Sequence, residues 1–222
     1  MFKRRNPRTY GQLATEMFYP RGGWKRATQY VLHRMRRLPD PPSRIGRGFA
    51  CGIFISFTPF FGLHFLGAAL CAWIIRGNIL AALLGTFVGN ALTTPFMAMA
   101  SLTTGRWLLG TEGTISIKTL PGEFARAGGE LWNNFLAVFT ERDMHWAHLH
   151  GFYEQIFLPY AVGSIIPGVI AGAIGHYLTV PLIKAYHRRR EKKMADRIAA
   201  LRELKTKASE TPTTPAADTQ GS

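Results

Sequence analysis

Three stretches of this chain run without charge for about as long as a bilayer is thick, or longer, and no other sequence feature restricts the fold so severely. Gly48 to Ile75, Ile79 to Gly105 and Gln155 to Ile183 contain no Asp, Glu, Lys or Arg. The first would measure about 42 Å as a straight helix, against a hydrocarbon core of about 30 Å. A soluble domain of 222 residues has no need of three such runs. Between Gly48 and Gly105 the only charge is Arg76. Mean hydropathy is near zero because the charges are gathered elsewhere. Met1 to Arg47 holds 12 basic and 2 acidic residues, and Lys184 to Ser222 holds 10 and 5.

These runs predict an all-α, polytopic membrane protein with Gly/Pro-broken or re-entrant helices and basic amphipathic helices on either flank. The expected organisation is a basic N-terminal region (1–41), a membrane domain (42–186) and a basic helix with a polar tail (187–222). Within the membrane domain an extramembrane loop, 106–154, separates the second and third apolar segments. The first apolar run begins too far from Met1 for a cleaved signal peptide, so the N-terminus is expected to be retained.

The first two runs are not uniform. Thr58-Pro59 and Gly62 divide one, and Asn90, Thr93, Thr94 and Pro95 divide the other. Proline cannot continue the helical ladder and pushes its predecessor out of the α region. Placing Thr58-Pro59-Phe60 on Thr94-Pro95-Phe96 gives a weak internal repeat. Paired interruptions of this kind point to discontinuous helices that meet at a site in the membrane. The candidate substrate-binding residues are therefore Pro59, His64, Asn90, Thr93, Thr94 and Pro95, with helix ends supplying dipoles for an anionic group. A second reading stays open, in which these side chains only satisfy backbone groups freed by the breaks.

Trp24, Ala27, Val31, Met35 and Leu38 fall at helical spacing among Lys25, Arg26, Arg34, Arg36 and Arg37. Such a helix lies on anionic headgroups, or packs its stripe against its own domain. Phe124, Leu131, Phe135 and Val138 share a helical face in the loop, and Met194, Ile198, Leu201 and Leu204 form a stripe beyond His187. Residues Thr211 to Ser222 are polar with two prolines, a composition expected to be disordered.

Positive charge stays on the cytoplasmic side, which places both tails inside and the 106–154 loop, with 4 basic and 6 acidic residues, outside. Three full crossings would separate the tails, so one broken segment must enter and leave by the same face. The first segment is the better candidate, because Arg76 then returns to the basic side.

Pro42, Ile45, Gly48, Ala50, Gly52, Phe54, Pro59, Gly62 and His64, then Arg76-Gly77-Asn78, Gly85, Asn90, Thr93 and Pro95, resemble the prokaryotic family catalogued as domain of unknown function 2062. The resemblance covers roughly Leu38 to Tyr186. One departure is Asn90-Ala91, where the family pattern has Asn-Pro. It implies a bacterial membrane protein and supplies no reaction. In plan, broken helices with Gly and Pro at their tips are also similar to the DedA family of lipid-carrier translocases, at the level of fold analogy alone.

No Walker loop, HExxH or Gly-x-Ser-x-Gly motif occurs, and no stretch pairs an acid with a base. A noncatalytic protein without cofactor is expected. Glu141, Asp143, His145, His148, His150 and Glu154 are the densest cluster of ligand types, but no local geometry presents all three histidines together, so no metal is assigned. Cys51 and Cys71 read as small buried hydrophobes. The basic tails are explained by membrane orientation and anionic lipid without nucleic acid. The partners expected are membrane lipids and their headgroups, together with a second copy or another membrane protein. Function is expected to be binding or translocation of an anionic lipid-linked or small substrate, with a membrane-anchored assembly role as the competing expectation.

Overall fold

The computed structural model describes residues 23–111, 118–140, 143–144 and 146–210. The tail 211–222, Glu141 and His145 lie outside the described residues, as do the side chains of Trp24, Ala27 and Leu204. Every regular element among the described residues is helical.

Helix α1 (Gly23–Arg36) ends ahead of Pro41 and Pro42. Helix α2 (Pro42–Ser56) starts with a proline in its first turn, where the missing N–H costs nothing. A tip at 57–63 turns the chain through Gly62, at φ +86°, into α3 (His64–Ile74). The two helices are antiparallel: Ile55 packs over Gly67, Cys51 Sγ stands 2.9 Å from Cys71 Sγ, and Arg47 Nη2 donates to Arg76 O at 3.1 Å. The first apolar run is thus a hairpin whose two ends meet. Arg76-Gly77-Asn78 forms the turn into α4 (Ile79–Gly85), capped by Asn78 Oδ1 accepting from Ala81 N at 2.7 Å.

Helix α4 runs parallel to α2 with almost no space between them. A Cβ on Gly52 would stand 2.1 Å from Ala82 O, so the backbones touch as small residues allow in membrane helix pairs. A 3₁₀ turn, Thr86–Val88, leads to the second break at 89–93 and then to α5 (Thr94–Leu109). The two breaks occupy one level, since Ser56 Oγ donates to Thr86 O at 3.3 Å and buried Ser101 Oγ donates to Phe57 O at 3.2 Å.

Helix α6 (Leu120–Ala137) follows. Then α7 (Ala147–Phe152), a π turn at Tyr153–Phe157, α8 (Leu158–Gly163) and α9 (Ile165–Glu210) form a nearly continuous rod. Its Ala147–Glu203 stretch is the one helix among the described residues long and apolar enough to cross a bilayer by itself. The first two charge-free runs, expected as Gly/Pro-broken segments, are built from shorter pieces, including the apolar His64–Ile74 and Ile79–Val88. Helix α9 returns antiparallel to α2, with Gly168 against Phe54 and Gly46 against Val180 and His176. It carries the chain back to the end where α1 lies, burying Met35, Leu38, Ile45 and Ile183 together.

The weak repeat does not map onto equivalent geometry. Pro95 sits in the first turn of α5, whereas Pro59 precedes α3 by a full turn of non-helical chain. The segments expected as two helices near residue 187 are one, because nothing after Pro181 interrupts the ladder.

Candidate functional site

At the first break the freed carbonyls find local donors. Thr58 Oγ1 donates to Ile55 O at 2.7 Å, and His64 Nε2 lies 3.2 Å from Thr58 O. At the second, Asn90 Oδ1 accepts from Leu92 N and Thr93 N at 2.9 and 3.1 Å, Asn90 N donates to Thr93 Oγ1 at 3.0 Å, and Thr93 Oγ1 and Asn90 Nδ2 both donate to Val88 O. No hydrogen bond joins His64 to Asn90, Thr93 or Thr94 among the described residues. The first polar duty of His64, Asn90 and Thr93 is backbone repair at the helix breaks.

What the two breaks bring together is a cavity. About 240 Å³ in volume, it lies where the hairpin tip (Phe61) meets the first turns of α5 (Thr94, Pro95, Ala98) and α6 (Leu120, Pro121, Phe124), against Tyr160 of α8. Its walls are aromatic edges: Phe61 stands edge-on to Phe124 at 4.9 Å and to Tyr160 at 6.2 Å. Tyr160 is fully buried, and its hydroxyl has no hydrogen-bond partner among the described residues. A buried hydroxyl without a partner costs free energy, so Tyr160 brings an unmet hydrogen-bonding group to the wall of the cavity.

Of the residues singled out from the sequence, Thr94 and Pro95 line this cavity. Pro59 and His64 stand behind it, His64 edge-on to Phe61 at 5.6 Å, while Asn90 and Thr93 hold the loop that leads into it. Phe61 and Tyr160 are not singled out by sequence, because aromatic residues in apolar runs read as core, and Phe124 is legible only as part of an amphipathic face. A tyrosine inside a charge-free segment was the available signal, since its hydroxyl must find a partner there.

The α1 cations accompany an apolar stripe whose later residues, Val31, Met35 and Leu38, face inward. Lys25, Arg26, Arg34 and Arg37 are exposed, Met35 and Leu38 are buried, and the Arg36 guanidinium sits 5.4 Å from the centre of the Tyr186 ring. At the end of the stripe, Met35 and Leu38 pack on the protein's own domain beside Ile45 and Ile183. In the loop region His148 bridges Glu123 (3.3 Å) and Glu130 (3.5 Å), and His150 pairs with Glu154 at 3.4 Å. No group of three or more metal-ligating side chains suited to an ion occurs among the described residues.

The family model described as an uncharacterised protein conserved in bacteria (DUF2062) matches residues 25–192. The chain belongs to this family. The match reaches from α1 to the basic start of the α9 extension, so the family unit includes α1 as well as the broken-helix core. No curated protein and no solved structure matches the chain.

Proposed function

We propose that the protein is a multi-pass, noncatalytic protein of the bacterial cytoplasmic membrane that binds a lipid-linked substrate at the junction of its broken helices and passes it across. The observation that carries this reading is the cavity beside Tyr160, at the meeting point of the two breaks. An apolar chain fills such a space by leaving water or bulk lipid for close aromatic contact. The Tyr160 hydroxyl and Thr94 supply polar contacts for the first oxygen of a headgroup, and the first turn of α5 favours negative charge there. The almost wholly apolar lining selects a lipid-linked substrate over a small free anion.

In this reading α2 and α3 are a re-entrant hairpin, α4 and α5 together make one crossing, and the rod α7–α9 makes the other. Polar tip residues at membrane depth are tolerated because Thr58, His64, Asn90 and Thr93 spend their polar atoms on the backbone freed at the breaks. The test is native mass spectrometry of lipid retained by the detergent-purified protein. Tyr160→Phe should keep or raise Tm, since an unpartnered hydroxyl is removed, while retained lipid falls about tenfold, as for loss of one well-placed hydrogen bond. Unchanged retention would overturn the assignment of this cavity.

A second reading, a membrane-anchored assembly partner, is favoured by one feature. Met194, Ile198 and Leu201 form an exposed stripe on α9 beyond the apolar segment. A monomer by light scattering in the full-length protein would count against it.

A further inference from the structure

A second recess lies at the end of the molecule where the hairpin begins and closes. It is a groove of about 880 Å³ whose lining includes Arg44, Arg47 and Arg76 together with Trp73, Ile79 and Leu80. Its charge is unbalanced. Asp40, the one carboxylate in it, is already engaged by Arg44 at 3.0 Å and by the Asn78 amide. Arg47 spends one Nη on Arg76 O, while its buried Nε–H has no acceptor. The Arg76 guanidinium has no partner among the described residues.

Arg76 is also the only described non-glycine residue with positive φ, at +52°. It follows the C-terminus of α3, a position that glycine or asparagine occupies at less cost, because a Cβ disfavours the left-handed region. An arginine held there against local preference indicates that its side chain serves something other than the turn. The apolar part of the lining is outward-facing, with Trp73 70% and Leu80 56% exposed. Cationic forks above an exposed aromatic and aliphatic wall match a ligand that is anionic at one end and hydrocarbon at the other.

We propose that this groove binds the phosphate headgroup of an anionic membrane phospholipid, with Arg47 and Arg76 on the phosphate oxygens and the acyl chains laid over Trp73, Ile79 and Leu80. The site is distinct from the Tyr160 cavity and from the α1 cations. It rests on the membrane reading proposed above, though not on the cavity. A free phosphate would use the arginines and leave the apolar wall bare, so a lipid is the better fit.

The full chain is first extracted with alkaline carbonate, then purified in detergent and titrated with short-chain phosphatidylglycerol, short-chain phosphatidylcholine or sodium phosphate. Binding is read by native mass spectrometry and by Tm. Phosphatidylglycerol is expected to bind at least tenfold tighter than phosphatidylcholine, and Arg76→Gly to lower that affinity about tenfold, as loss of one charge-assisted contact does. Because glycine suits φ +52°, the variant should fold with Tm unchanged or raised. Equal affinity for the two lipids, or unchanged affinity in Arg76→Gly, overturns the groove. A Tm rise with sodium phosphate equal to that with phosphatidylglycerol overturns the lipid assignment. Release of the chain by carbonate overturns the membrane reading itself.

Discussion

His64 carries a donor into a segment that has no charge, and the structure gives that donor a specific acceptor, Thr58 O at 3.2 Å. His64→Leu leaves this carbonyl without a partner at a helix break, which should cost about 1 kcal/mol. The expected outcome is a Tm lower by a few degrees with insertion into the membrane retained, and partial recovery in His64→Gln, which restores a donor of similar reach. Thermal unfolding in detergent, followed alongside lipid retention, separates the roles. Unchanged Tm with lost retention would move His64 from support of the tip into the site. Thr94 shows the other side of the same logic: its neighbours Asn90 and Thr93 are consumed by Val88 O and each other, and only Thr94 remains beside the cavity.

Helix contacts here are set by glycine placed where backbones cross. On α5 a Cβ at Gly105 would stand 1.7 Å from Pro159 O, while on α6 a Cβ at Gly128 would meet nothing within 4 Å. Gly105→Ala must therefore push α5 from α8, at a cost of about 1–3 kcal/mol or more. Gly128→Ala should add about 0.5–1 kcal/mol through helix propensity. Opposite shifts in Tm from one substitution type are the expected result, and equal shifts would mean that the α5–α8 crossing is looser than described.

The breaks on either side of these crossings were legible from sequence, because proline and glycine act locally on the backbone. Positions Pro59, Thr94 and Pro95 were found for that reason. Tyr160 and Phe124 were not, since they reach the cavity from segments more than 25 residues away along the chain, and no local pattern records a long-range meeting. The groove arginines were legible as charges and not as a site, because Arg47 and Arg76 become neighbours only when the hairpin closes. Helix α6 was legible as amphipathic, with its apolar face expected on the membrane surface, yet the inward packing of Phe124 from that face was not. Leu131, Trp132 and Phe135 are exposed, whereas Glu123 and Glu130 turn inward to His148.

At the scale of the whole molecule, the hairpin and the rod decide where the ends lie. Arg47 meets Arg76 across the base of the hairpin, and the Arg36 guanidinium lies over Tyr186, so α1, the hairpin base and the basic start of the α9 extension share one end. Helices α6 and α7 lie at the other, with Arg106 Nη2 donating to Gln155 O at 3.4 Å beyond the α5–α8 crossing. The charge follows the same division, with 12 basic residues up to Arg47 and 10 after Ile183, against 4 basic and 6 acidic between Arg106 and Glu154. Because positive segments resist export, the proposed topology puts both flanking helices in the cytoplasm and α6–α7 outside. Single cysteines introduced as Gln29→Cys, Gly122→Cys and Arg189→Cys, in a chain carrying Cys51→Ala and Cys71→Ala, test it with a membrane-impermeant maleimide on intact cells. Only Gly122→Cys should label before lysis, and all three after it. Labelling of either flank from outside would place the termini on opposite faces, and would require the α2–α3 hairpin, whose two ends meet at Arg47 and Arg76, to open into a full crossing.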